Sequence, residues 1–291
     1  MITISNGIIY DYYVEKRGAG EPVIFLPAAG FYGNEGLNIA DFLQNDFETH
    51  MMDLPGGRSL GIQARQITSL DMAKWLKGYM DQQQMNKVNL IGHSMGGLLA
   101  LTFAVHYPER VNKLVLLDQA HKPFPRIPKR EFGLFAYAIP YLNIGAVLLG
   151  KPFLKLLEPL FSDKDSNVDI DTAVKRFCET IAIKENAYIR KAHEQSVSFT
   201  LDTLNLYFGY YRINQPKLLA ENTVPTFLAY ATFKGVNEQE NAYTCRHLRE
   251  LQHKKSLPIT YRPVEGGHYV HWSDDPTLLP EIKLFLKGRM E

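Results

Sequence analysis

Residues 87–97 read Lys-Val-Asn-Leu-Ile-Gly-His-Ser-Met-Gly-Gly, and the reading of this run governs the rest of the chain. Val88, Leu90 and Ile91 form a short apolar stretch of the kind that fills a buried strand. Leu98 to His106 continues as an apolar helical segment and stops before Pro108. Between them, Gly92-His93-Ser94-Met95-Gly96 fits the pattern G-x-S-x-G. A strand that turns sharply into a helix holds its central side chain in a strained, exposed position. Glycines two before and two after leave room for that turn. The helix N-terminus brings backbone N–H groups and a positive dipole end close to Ser94. An ordinary Gly-rich turn can also carry a serine, but the strand before and the helix after make Ser94 the candidate nucleophile.

Working outward, short apolar runs bounded by turn residues alternate with longer helical patterns. This rhythm predicts an α/β fold with a mainly parallel, doubly wound sheet. Residues 7–30 read as a hairpin of two strands, with Gly18–Gly20 at its turn and the second strand over Pro22–Leu26. Phe47–Asp53 is the next strand, and Ile67 to Gln82 a helix. Val111–Leu117 is a strand that ends at Asp118. The rhythm then breaks. From Gln119 to Asn222 no buried-strand pattern occurs, and helical segments rich in aromatics take its place, including a long stretch from Asp171 to Gly209. The sequence therefore divides into a core, 1–118 and 223–291, and an inserted helical cap, 119–222. The core resumes with strands over Thr223–Ala231 and Ser256–Val264, and helices over Glu238–Gln252 and Thr277–Lys287.

Bulk composition narrows the function classes. The chain has 291 residues, long enough to bury a large core without staples. Its net charge of +1 gives no attraction to nucleic acid or to an anionic membrane. Cys178 and Cys245 stand in no Cys-x-x-Cys or Cys/His cluster, so no metal site and no disulfide framework is expected, and a reduced, cytoplasmic setting follows. Residues 132–150, FGLFAYAIPYLNIGAVLLG, carry no charge, but Pro140, Asn143 and three glycines interrupt them. They read as a buried or lipid-touching lid element, not as a membrane span.

A serine hydroxyl needs a neighbour to take its proton, and histidine titrates in the right range. Of nine histidines, His268 is distinguished by its glycine-flanked loop, directly after the last strand and before the last helix. That loop lies at the carboxyl ends of the strands, as Ser94 does. His271 and His93 are read as structural.

Gly92-His93-Ser94-Met95-Gly96-Gly97 resembles the nucleophile elbow of the α/β-hydrolase family, as found in esterases and monoacylglycerol lipases. Gly266-Gly267-His268-Tyr269 resembles the family's Gly-His segment. The resemblance is strongest over Val23–Asp118 and Val224–Leu286. It implies a triad acid after the strand Pro225–Ala231, where this chain has Lys234 and no carboxylate. Two substitutes are available: Asp118, which is favoured, and Glu238. A weakened Ser94–His268 dyad is the third option. The resemblance also implies two backbone donors for an oxyanion, here the N–H groups of Met95 and Ala29. Pro27-Ala28-Ala29-Gly30 stands where relatives have His-Gly-x. The loop Asp53-Leu54-Pro55-Gly56-Gly57-Arg58-Ser59 reads as scaffold.

These features imply a serine hydrolase of carboxylic esters, working through an acyl-enzyme without metal or organic cofactor. Phe31, Phe132, Phe135, Tyr137, Tyr141 and Tyr207 are the candidate pocket residues, and with the aromatic stretch Phe153–Phe161 they suggest a small lipophilic ester. The same triad also serves an amidase, a C–C bond hydrolase or a perhydrolase. The absent acid at Lys234 leaves open a further class, a ligand-binding signalling receptor on a hydrolase scaffold.

Overall fold

The computed structural model describes residues 3–5, 8–10, 12–123, 137–161, 169–195, 200–253 and 257–289. Among the described residues, strands β1 (Thr3–Ser5) and β2 (Ile8–Tyr10) form a two-stranded antiparallel sheet of their own. The main sheet is built from β3 (Val14–Gly18), β4 (Glu21–Leu26), β5 (Phe47–Met52), β6 (Val88–His93), β7 (Val111–Leu117), β8 (Thr226–Ala231) and β9 (Ile259–Val264). Their order is β3-β5-β4-β6-β7-β8-β9, parallel throughout except for β3. This is the α/β sheet the sequence rhythm predicts.

The strands alternate their burden, as a sheet covered on both faces requires. Ile24, Leu26, Leu90, Leu114, Leu116 and Leu228 pack toward α2 (Ser69–Gln82) and α3 (Ser94–His106). Val23, Phe25, Ile91, Val115, Leu117 and Phe227 pack the other way, with residues of α1 (Leu37–Leu43) and of the C-terminal helix Leu278–Leu286. Helix α2 starts on a capping box in which Thr68 and Asp71 satisfy each other's backbone N–H groups.

The expected hairpin is corrected. β3 and β4 do not pair; β5 lies between them, antiparallel to β3 and parallel to β4. The Gly18–Gly20 turn instead passes over the start of β5. Gly18 and Gly20 have φ of 84° and 125°, and a Cβ on either would run into the backbone carbonyl of Phe47 or Asp46.

Between β7 and β8 the described residues contain helices and connections only. These are α4 (Ile139–Leu149), α5 (Lys151–Phe161), α6 (Ile170–Ile181), α7 (Ala187–His193), α8 (Leu201–Tyr211) and α9 (Gln215–Ala220). The long helical stretch expected over Asp171–Gly209 is three helices. α6 ends at Ala182 in the left-handed region, and Asn186 and Thr200 cap new starts. Leu206, Tyr210, Leu218 and Leu219 join the core beneath α3, so α8 and α9 are continuous with the sheet's own packing. No helix among the described residues is long and apolar enough to cross a membrane. After β8 come α10 (Glu238–Gln252), β9 and α11 (Leu278–Leu286).

Candidate active site

Strand β6 delivers Ser94 directly to the first position of α3. Ser94 has φ of 48°, a left-handed conformation that a non-glycine residue holds only when its surroundings force it. Those surroundings are tight. A Cβ at Gly92 would lie 2.6 Å from the Gly96 carbonyl oxygen, and one at Gly96 would strike the Leu26 backbone. The Gly96 N–H donates to the Pro27 carbonyl at 2.9 Å, which fastens the start of α3 to the loop after β4.

The next strand supplies a carboxylate. Register pairs His93 with Leu117, so Ser94 and Asp118 leave adjacent parallel strands side by side. Asp118 also has a left-handed φ, 46°. Its Oδ1 accepts the Ala231 N–H at 2.9 Å, and its Oδ2 lies 2.7 Å from His268 Nδ1. A carboxylate accepts, so Nδ1 is the donor, and the imidazole keeps its lone pair on Nε2. Burial by itself would raise the Asp118 pKa. The Lys122 ammonium at 3.9 Å and the His268 hydrogen bond outweigh it and hold the carboxyl well below the usual carboxylate range. His121, 3.7 Å from the same carboxylate, is pushed down to about 3 by burial first and by Lys122 second, so it stays neutral.

Glu238, the other candidate acid, is exposed at the start of α10. Its two oxygens accept from Gly235 N–H at 2.8 Å and Asn241 Nδ2 at 3.1 Å, so it closes a turn. The place after β8 where the family acid was expected is filled differently. Phe233, itself at φ of 57°, turns its ring to the cavity, and Lys122 Nζ stands 4.6 Å over that ring.

Ser94, Met95, Asp118, His268, Ala28 and Ala29 line one cavity of about 170 Å³. The two alanines and Met95 thus line the same chamber as the candidate nucleophile and base. Phe31 and Tyr207 meet in an adjoining apolar slot with Leu54 and Leu206, which shares Ala29 and Met95 with the main cavity. Tyr207 lines both. Tyr137 and Tyr141 do not belong to the described lining. Tyr141 lies on the exposed face of α4 with Ile144 and Leu148, because Ile139 and Ala146 turn the helix's other side inward, and Tyr137, just before α4, is exposed as well. Phe132 and Phe135 fall outside the described residues.

The cavity is more polar than the aromatic-rich sequence suggests. Gln119, Lys122, Gln215, Glu240 and Tyr243 all reach it, and none was singled out from sequence. Gln119 and Lys122 sit one and four residues beyond Asp118 and the others on α9 and α10, so closeness to a strand's carboxyl end was the available signal for Gln119 and Lys122. Ala146, Leu154 and Leu157 of α4 and α5 pack with Phe208 in the segment's own core, while Ile144, Leu148, Leu149 and Leu156 face solvent.

Below the cavity lies a second buried group. Glu35 Oε2 accepts the Ala28 N–H at 2.5 Å, and its Oε1 shares a hydrogen bond with His93 Nδ1 at 2.5 Å. His93 Nε2 donates to the His268 carbonyl at 3.0 Å. His271, buried and held neutral by that burial, brings its Nε2 to 3.4 Å from Glu35 Oε1. Glu35, His93 and His271 have the donor types of a metal site, with ligand atoms within 4.8 Å of one another. The fit fails at one edge: two ligands of a tetrahedral ion stand about 3 Å apart, and Glu35 and His93 are closer, at hydrogen-bond length. The Asp53–Ser59 loop behaves as scaffold, Asp53 accepting from Arg58 at 2.6 Å and from the Gly33 N–H at 2.8 Å.

A sequence model described as alpha/beta hydrolase fold matches residues 21–275. The chain belongs to that family. Among curated relatives, the chain is 37% identical over 113 residues to a 2-hydroxy-6-oxononadienedioate/2-hydroxy-6-oxononatrienedioate hydrolase of Comamonas testosteroni, covering 37% of this chain and 40% of the relative. It is 35% identical over 121 residues to a 2-hydroxy-6-oxo-6-phenylhexa-2,4-dienoate hydrolase of the same species, covering 39% and 42%. The match thus spans about two fifths of these relatives' length. Among solved structures, an esterase from Thermogutta terrifontis superposes with a TM-score of 0.64 at 19% identity, over 100% of this chain and 97% of that one. An E-2-(acetamidomethylene)succinate hydrolase superposes at 0.68 and 18%, over 96% of each. Identities this low speak for the shared fold alone.

Proposed function

We propose that this α/β hydrolase is a serine hydrolase of small carboxylic esters that works through an acyl-enzyme. The observation that carries the proposal is the His268 Nδ1–Asp118 contact of 2.7 Å, made in the wall of the cavity that Ser94 also lines. Asp118 fixes the tautomer, so His268 Nε2 takes the Ser94 proton as Oγ bonds to the ester carbonyl carbon. The carbonyl electron pair moves onto oxygen, and the Ala29 and Met95 N–H groups receive that oxyanion. As the tetrahedral centre collapses, the C–O bond to the alcohol breaks and His268 returns the proton to the departing oxygen. A water molecule then repeats the sequence on the acyl-enzyme and releases the acid. The apolar slot beside Ala29 suits a short acyl chain, and the polar chamber suits an alcohol portion that carries oxygen.

A second reading is favoured by one observation. The chamber is lined by Lys122, Gln119 and Gln215, a cation and two amides beside Asp118 and His268. Donors of this kind suit a leaving group that departs as an enolate, as in a C–C bond hydrolase, and the two Comamonas relatives are named as hydrolases of 2-hydroxy-6-oxo compounds.

Labelling with a fluorophosphonate and turnover of p-nitrophenyl esters from acetate to octanoate test the reading. The expected result is a Ser94 adduct and repeated turnover, fastest for the short esters. Loss of a 2-hydroxy-6-oxodienoate chromophore without ester turnover would transfer the assignment to the second reading. Absence of the Ser94 adduct in folded protein would end both.

A further inference from the structure

Glu35 takes no part in the proton transfers above, yet it is fully buried and touches three parts of the site. It sits in the short turn Gly33–Gly36, just after the loop that carries Ala28 and Ala29. One oxygen holds the Ala28 N–H, the residue before the Ala29 donor. The other is bonded to His93, the residue before Ser94. His93 in turn holds the carbonyl of His268. A carbonyl only accepts, so His93 Nε2 carries a proton, and one further proton is shared between Nδ1 and Glu35. An acid and an imidazole buried together are expensive to desolvate, and a site built for packing alone would hold an apolar pair of similar volume.

We infer that Glu35 and His93 are positioning residues, a single buried bridge that sets the spacing of the oxyanion loop, the elbow and the base loop. The inference rests on the serine-hydrolase reading above. Without the bridge, the Ala28–Ala29 backbone loses its acceptor and the His268 backbone its donor, so the two halves of the machinery relax independently. His271 packs against the same bridge and does not replace it: its carbonyl is taken by Asn38 Nδ2 at 2.6 Å, and its ring nitrogens reach no hydrogen-bond partner among the described residues. A misplacement of about 1 Å at reacting groups costs about 100-fold in rate.

The test compares wild type, Glu35→Gln, Glu35→Met and His93→Phe. Three quantities are read: the rate of Ser94 modification by a fluorophosphonate, ester kcat per titrated Ser94, and KM. In Glu35→Gln the amide oxygen accepts the Ala28 N–H and the amide NH2 donates to His93 Nδ1, so kcat is expected to stay within about threefold of wild type. Glu35→Met and His93→Phe keep the bulk and remove the bridge. Both are expected to lose about 100-fold in kcat and in labelling rate, with KM changed by less than about threefold. A purely structural role would lower the melting temperature and the titrated fraction while leaving kcat per titrated site unchanged. That pattern overturns the inference, and so does a Glu35→Gln as impaired as Glu35→Met. If one apolar variant fails to fold, the other decides; if both do, the pair is scaffold and the inference is wrong. A wild-type protein that does not label at Ser94 refutes the hydrolase reading instead, before any variant is made.

Discussion

Replacing Asp118 by asparagine alters a single atom of a buried side chain and is expected to remove nearly all turnover. The amide oxygen can still accept the Ala231 N–H, which Asp118 Oδ1 holds at 2.9 Å, so the fold around β7 and β8 is preserved. The amide NH2 then faces His268 Nδ1. It can only donate, which forces the ring proton onto Nε2 and leaves no lone pair for Ser94. The charge is lost as well. At 2.7 Å and an effective dielectric of about 20, carboxylate and imidazolium attract by about 6 kcal/mol, an upper limit on what Asp118 gives the charged base. A fall of about 10³- to 10⁴-fold in kcat, roughly 4–5.5 kcal/mol, lies within that limit. The assay is kcat for a short p-nitrophenyl ester, normalised to Ser94 labelled by fluorophosphonate, together with a thermal melt. A variant that melts like wild type and keeps more than about a tenth of kcat would refute the reasoning. Loss of activity in Glu238→Gln alongside it would move the acid to the start of α10.

Three further outcomes are expected. Glu238→Gln should keep kcat within about twofold, since Glu238 is spent on Gly235 and Asn241; ester turnover checks it. His121 is buried and its pKa is depressed from 6.5 to about 3, so the folded state resists its charging. The stability it gives is complete above pH 6.5 and is lost as pH falls from there toward about 3, so wild type should lose more urea resistance between pH 7 and pH 5 than His121→Gln. Gly92→Ala should cost about 1–3 kcal/mol and several degrees of melting temperature, because the new Cβ would stand 2.6 Å from the Gly96 carbonyl oxygen and 2.6 Å from Gly97 Cα; a melt like that of wild type would mean the elbow can yield.

The sequence made the elbow, the base loop and the strand ends readable because each is written in a few neighbouring residues. Val111–Leu117 and Glu238–Gln252 match the structure's own bounds. The hairpin was misread because local pattern cannot show that Phe47–Met52 slides between β3 and β4. The left-handed backbone of Ser94 was implicit in its glycines; that of Asp118 had no such sign. The polarity of the cavity was invisible because its wall draws on Gln119, Gln215 and Glu240, residues that meet only when three distant segments converge. Tyr137 and Tyr141 misled for the opposite reason. An apolar stripe on α4 looks the same in sequence whichever way the helix faces, and here it faces solvent.

Asp118 leaves β7 before the helical segment begins, whereas His268 follows β9. Ser94 and Asp118 are therefore joined by one short strand–helix–strand unit, and everything from α4 to α9 hangs from a point downstream of both. The length of that excursion can change without altering the spacing of nucleophile and acid. Exchange of α4 and α5 for shorter or longer elements would keep the Ser94–Asp118 unit whole, and with it the core side chains Leu206, Tyr210, Leu218 and Leu219 of α8 and α9. On the serine-hydrolase reading, the spacing of nucleophile and acid is then independent of α4 and α5, which makes that stretch a natural place for grafting.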